Sequence, residues 1–230
     1  MNFAHAILTA PRPQSTLRQT LESLRHGGFT SDFWFHDGSP PDGEATSPRW
    51  CTAAYIDLLR RVGKAMDVGK WRPDAEGLLV FEDDVVVCKG LCEYLQSIPW
   101  PEAIDQIAAV SPYCPTAYSN YKAFRRWHRE DRRVTLAGTQ AFLYTRRAMR
   151  ELVQYLDPER RKDDGEIAGV DVQFGMYAKE FDLHIHYHVP SLVQHIGINN
   201  SAVGFGDCGT IYRAETFVGE DFDARSLPCA

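Results

Sequence analysis

The feature that most constrains this chain is Leu78-Leu79-Val80-Phe81-Glu82-Asp83-Asp84-Val85-Val86-Val87. Apolar, β-branched and aromatic flanks of this kind read as a strand buried on both faces. Three consecutive carboxylates inside such a run are costly, because unpaired charge is expensive to bury and like charges repel. A divalent cation relieves both penalties. Hard oxygen ligands at a strand end suit Mg²⁺ or Mn²⁺ together with a phosphate-bearing substrate. The competing reading is a solvent-exposed acidic turn between two strands.

Around this segment the pattern alternates between strands and helices. Ala4 to Leu8 is an apolar run stopped by Thr9-Ala10-Pro11-Arg12-Pro13. Ser15 can cap a helix bearing Leu17, Leu21 and Leu24 on one face, closed by Gly27-Gly28. Phe33 to Phe35 is a strand ending at His36-Asp37-Gly38-Ser39, and Ser47-Pro48 reads as a helix start. Strands follow at Gly77 to Phe81, Ile107 to Val110 and Leu183 to Val189. Helices follow from Thr145 and over Asp171 to Phe181. The expectation is an α/β fold, an open mixed sheet with helices on both faces, binding its ligand at the carboxyl ends of the strands. Residues 1–200 form the predicted catalytic domain, and 201–230 a Gly-rich, acidic tail that acts as a lid or frays.

Composition narrows the setting. In 230 residues the net charge is −6, a poor prior for a general nucleic-acid binder. No run approaches the roughly 18 apolar residues of a membrane helix. The first ten residues lack the basic and apolar regions of a secretory signal. Six irregularly spaced cysteines without a CxxC pair then read as reduced thiols of a cytoplasmic protein.

Three further segments carry candidate chemistry. Asp171 lies at a helix start, where a carboxylate serves either as a general base or as an N-cap. Asp163, Asp164 and Glu166 compete for the base role but sit in a charged stretch that reads as a solvated loop. His184, His186 and His188 alternate, so they share one strand face. Such an array can bind zinc, yet no carboxylate stands at a recognisable spacing, and a polar strand face is the favoured reading. Between Tyr118 and Arg133, Tyr118, Tyr121, Phe124 and Trp127 recur every third residue among six basic side chains. This is either an amphipathic helix or an acceptor platform, with Tyr118, Tyr121, Arg125 and Trp127 stacking on sugars or bases and holding phosphate.

The Phe-Glu-Asp-Asp-Val segment after a buried strand resembles the acidic DxD-type motif of GT-A-fold glycosyltransferases. The Glu-Asp-Asp form is similar to that of N-acetylglucosaminyltransferases. The Asp37-Gly38-Ser39 turn and Pro190-Ser191-Leu192-Val193-Gln194-His195-Ile196-Gly197 resemble segments of the same class, and the likeness runs from about residue 4 to residue 200. The resemblance implies that Asp84 binds Mn²⁺ or Mg²⁺, with His195 on the metal or diphosphate. It further implies that Asp83 contacts ribose, Glu82 the donor sugar and Asp37 the uracil or ribose edge. The loop Thr9, Ala10, Pro11, Arg12 would line the nucleotide pocket, and Asp171 would be the base of an inverting transfer. The implied activity moves a hexosyl or N-acetylhexosaminyl group from a uridine-diphosphate-linked donor to a hydroxyl. The acceptor would be an anionic glycan, a lipid-linked sugar or nucleic acid. The alternatives are a non-catalytic nucleotide-sugar-binding module and a related modifier of nucleic acid.

Overall fold

A computed structural model describes residues 1–12, 14–30, 32–40, 47–116, 126–130, 138–156, 169–197 and 212–228. Its strands are β1 (Phe3–Thr9), β2 (Trp34–Asp37), β3 (Gly77–Glu82), β4 (Val85–Val87), β5 (Ile107–Ser111), β6 (Trp127–Arg129), β7 (Ala141–Thr145), β8 (His184–His188) and β9 (Val193–His195). Its helices are α1 (Leu17–His26), α2 (Pro48–Asp67), α3 (Leu91–Ser97), α4 (Arg146–Tyr155) and α5 (Val170–Glu180). Seven strands make one sheet in the order β2-β1-β3-β7-β5-β8-β6, while β4 and β9 pair separately. β1 is parallel to β2 and β3, and β5 is parallel to β8, whereas β7 and β6 run antiparallel to their neighbours. The open mixed sheet expected from the alternation is therefore present.

The central strands show why their apolar runs are unbroken. On β3, Leu78 and Val80 join a core with α2, α4 and α5, while Leu79 and Phe81 join a second core with α1 and α3. On β1, Ala4 and Ala6 face the first core and Phe3 and Ile7 the second. Because side chains alternate across a strand, both faces must be apolar when both carry helices. Burying each of the larger side chains here contributes about 1.5–3 kcal/mol.

Helix starts follow their cap chemistry. Ser47 Oγ accepts from Trp50 N ahead of Pro48, and Thr145 Oγ1 accepts from Ala148 N. At α1 the cap is Thr16 rather than Ser15, with no side-chain cap bond. The helical reading of Tyr118 to Arg133 is corrected where the structure describes it. Trp127 to Arg129 form β6, held at the sheet edge by antiparallel pairing with β8. Cross-strand bonding here overrides helical periodicity. Tyr118, Tyr121, Phe124 and Arg125 lie outside the described residues, as do Asp163, Asp164 and Glu166.

Residues 212–228 pack against the body. Gln194 Oε1 accepts from Ala214 N at 2.9 Å, Ala224 N donates to Lys89 O at 2.9 Å, and Ala214 and Ala224 are buried. The four described cysteines, Cys51, Cys88, Cys92 and Cys114, are free thiols. No helix among the described residues is long and apolar enough to cross a membrane.

Two buried imidazoles make the fold acid-sensitive. Burial pushes His5 and His188 down to about 4, from an ordinary value of 6.5. Their unfolded forms bind a proton first, so stability present above pH 6.5 is lost as pH falls towards 4. Each group contributes up to about 1.4 kcal/mol per pH unit in that window. Urea unfolding from pH 7 to pH 4 should carry this decline as one component of the slope, against the opposite contribution of Glu82, whose raised carboxyl favours the folded state as pH falls. His5→Phe, which removes a ring whose Nε2 has no partner among the described residues, should flatten it. An unchanged slope would contradict the assignment.

Candidate functional site

The acidic triplet sits where β3 leaves the sheet and turns into β4. It is not an exposed turn, because Asp83 is 3 % exposed and Asp84 1 %. The turn is clamped from three sides. Thr20 Oγ1 of α1 donates to Asp83 O at 2.8 Å and accepts from Val85 N at 3.1 Å. Ile196 N donates to Asp84 O at 2.8 Å. Thr139 Oγ1 donates to the Glu82 carboxylate at 2.5 Å.

The loop after β1 supplies the counter-charge. Ala10 N donates to Asp83 Oδ2 at 3.1 Å, and Arg12 Nε donates to Asp83 Oδ1 at 3.0 Å. Arg12 Nη2 lies 2.9 Å from Asp83 Oδ1 and 2.8 Å from Asp84 Oδ2. Its side chain is 6 % exposed, so it is no ordinary surface arginine. From β9, His195 Nε2 lies 2.9 Å from the same Asp84 Oδ2. The sequence places Arg12, Asp83, Asp84 and His195 in four functional positions, and the structure brings all four into one cluster.

Their electrostatics divide the triplet. Burial works to raise the Asp84 carboxyl, but His195 and Arg12 outweigh it and hold it below the usual carboxylate range. Burial likewise works against charged His195, yet Asp84 raises it above its ordinary value. Glu82 goes the other way: burial, then repulsion from Asp84, pushes it up to about 7. Burial also raises Asp83, against the pull of Arg12.

Two observations bear on a cation. Asp84 Oδ1 is a buried oxygen with no hydrogen-bond partner among the described residues, although its carboxyl is held ionised. Gly197 leaves room beside the same carboxylate, where a Cβ would stand 2.1 Å from Asp84 Oδ2. The nearby donor set, carboxylate oxygen and imidazole nitrogen, suits Mn²⁺ or Mg²⁺ with a phosphate ligand. The residues present therefore fit the cation that the sequence implies.

The other expected residues flank this centre. Asp37 ends β2 opposite Thr9 of β1, exposed at the same sheet edge. Its Oδ1 accepts from Ser39 N at 2.9 Å, and the Ser39 side chain first, then this N–H, draw it below its usual range. Gly38 is required there, since its N donates to Thr9 O and a Cβ would meet that oxygen at 2.4 Å. Pro11 is exposed beside them. Asp171 is half-buried in the first turn of α5, and the cap position belongs to Gly169. Asp171 Oδ2 accepts from Gly138 N at 3.2 Å, next to the Thr139 that holds Glu82. Residues 138–140 thus tie Asp171 to the triplet. Trp127 is elsewhere, on β6, edge-on to the His188 ring at 5.1 Å.

Sequence reasoning missed Thr20 altogether. A threonine inside an amphipathic helix carries no signal until the turn it holds is known.

No protein-family model and no curated protein matches the chain. Solved structures do. A Drosophila β1,4-galactosyltransferase 7 mutant, in complex with manganese, UDP-Gal and xylobiose, is 11 % identical at a TM-score of 0.49. The match covers 98 % of this chain and 84 % of that one. The galactosyltransferase LgtC, with donor and acceptor sugar analogues, is 11 % identical at 0.43, covering 83 % and 86 %. A nucleoside-diphosphate-sugar pyrophosphorylase from Vibrio cholerae is 10 % identical at 0.41, covering 84 % and 95 %. These are likenesses of overall fold, and the chemistry of the site rests on the residues described above.

Arg12 is the test of the cluster's charge balance. Arg12→Ala removes one partner of a buried ion pair and should cost about 3–5 kcal/mol of stability. Chemical denaturation of the two proteins checks this. A loss under 1 kcal/mol would show that water, not Arg12, compensates the carboxylates.

Proposed function

We propose that the chain is a metal-dependent glycosyltransferase of the GT-A type, moving a sugar from a uridine-diphosphate-linked donor to a hydroxyl. The observation that carries this reading is Asp84: ionised, buried at the carboxyl end of a central strand, with one oxygen left without a partner among the described residues. In α/β sheets this edge is where ligands bind.

Asp84 and His195 would hold Mn²⁺ or Mg²⁺. When bound, the cation neutralises charge that develops on the leaving diphosphate. Asp83, fixed by Ala10 N and Arg12, faces the loop after β1 and would hold ribose. Asp37 at the end of β2 would hold the uracil or ribose edge. Arg12 carries five donors in a planar fork, a match for diphosphate oxygens. Glu82, raised towards neutrality and fixed by Thr139, would hold a hydroxyl of the donor sugar.

Asp171 would act as base, taking the proton of the acceptor hydroxyl as that oxygen attacks the anomeric carbon. The bond to the diphosphate breaks as the new glycosidic bond forms on the opposite face, so configuration inverts. The two backbone N–H groups that Asp171 accepts, from Gly138 at 3.2 Å and Val172 at 2.9 Å, fix its orientation.

Calorimetric titration of UDP tests the donor half. Binding should require Mn²⁺ or Mg²⁺ and should be lost in Asp84→Asn. Asp171→Asn should keep that binding and lower transfer by about 10²–10⁴-fold, the usual size of a general-base contribution. UDP binding that ignores both the cation and Asp84 would overturn the reading. Full turnover in Asp171→Asn would remove Asp171 from the mechanism.

A further inference from the structure

β8 carries His184, His186 and His188 on one face, and the sequence offers them no carboxylate. The fold supplies one from 82 residues upstream of His184. Glu102 Oε1 lies 2.6 Å from His184 Nδ1 and 2.8 Å from His186 Nε2. We propose that Glu102, His184 and His186 form a second metal site, for a divalent transition cation of the zinc class, separate from the acidic site.

The placement makes it separate. β3, β5 and β8 run in the same direction, and His184 opens β8 opposite Ile107, the first residue of β5. The triad therefore lies at the amino edge of the sheet, while Glu82 and Asp84 lie at the carboxyl edge. His188 does not join it. Its ring is committed to Pro190 O at 2.6 Å and Tyr94 Oη at 2.9 Å.

The donor set fits the cation. One ligand atom from each residue lies within 4.8 Å of the other two. Two imidazole nitrogens and one carboxylate oxygen match a zinc site of three protein ligands with an open fourth position. Metal–ligand bonds of about 2.0–2.2 Å in a tetrahedral site place ligand atoms about 3.4 Å apart, so Glu102 must draw back by about 0.6–0.8 Å. It stands on the loop ahead of β5, half-buried, whereas strand pairing with β5 and β6 fixes the two histidines.

Arg129 makes the inference specific. In the cation-free protein each ring donates one N–H to Glu102, which leaves His184 Nε2 to accept from Arg129 Nη1 at 3.2 Å. Loading a cation at Nδ1 moves the ring proton to Nε2, which then faces a guanidinium donor. Arg129 is exposed and must turn away. It therefore opposes loading through both its charge and its N–H.

The test is zinc titration of the full chain, by calorimetry and by competition with a chromogenic chelator. Asp84→Asn serves as background to silence the acidic site. One Zn²⁺ should bind. Glu102→Gln and His184→Gln, both at half-exposed positions, should weaken it at least tenfold, while Arg129→Ala should tighten it several-fold. Circular dichroism checks that each variant is folded. If the Asp84→Asn background does not fold, the same variants in the parent chain should lose one of two bound ions. Zinc affinity unchanged in both Glu102→Gln and His184→Gln, or loosened by Arg129→Ala, would overturn the site. No readout uses UDP or transfer, so either result leaves the glycosyltransferase reading standing on its own test.

Discussion

The carboxyl edge of this sheet depends on one charge balance. Asp83 and Asp84 are adjacent, buried and close to a third carboxylate, and the chain must bring positive charge to them or leave the turn unstable. Arg12 comes from the loop after β1 and His195 from β9. The β4–β9 pair is the device that delivers the histidine: Val85 pairs with His195, so the strand leaving the acidic turn holds the residue that faces it. Gly197 then keeps the chain close enough that any side chain would strike Asp84. Among the described residues the compensation is incomplete by one oxygen, Asp84 Oδ1, and in the proposed function a cation would complete it.

Much of this was legible in the sequence. Two-sided apolar strands, the Ser47-Pro48 and Thr145 caps, and the ordering of strands and helices follow from local periodicity. Three carboxylates between apolar runs forced attention to Asp84. What the sequence did not carry were contacts between distant segments. Arg12 reads as equally suited to surface or site until β1 and β3 are known to be parallel neighbours, with Leu8 opposite Glu82. Glu102 is invisible as a partner of His184 because no spacing rule spans the 82 residues between them. β6 was hidden because only its first residue, Trp127, belongs to the aromatic series, and its pairing with the distant β8 is what makes it a strand.

The two edges of the sheet use one design in different degrees. At each, a carboxylate is shared between nitrogen donors from separate elements: Asp84 between Arg12 and His195, Glu102 between His184 and His186. At the carboxyl edge the carboxylate is 1 % exposed and clamped by backbone and threonine bonds. At the amino edge it is half-buried on a loop. On the proposed readings the first would bind its cation pre-organised, and the second would adjust on binding.

Anomalous diffraction at the manganese edge, from crystals grown with Mn²⁺ and UDP, tests the central claim most directly. The expected result is an anomalous peak within about 2.0–2.3 Å of an Asp84 oxygen, with the diphosphate on its far side and Asp83 towards the ribose. Nucleotide seated elsewhere, or no peak at Asp84 while Arg12 still bridges both carboxylates, would contradict it.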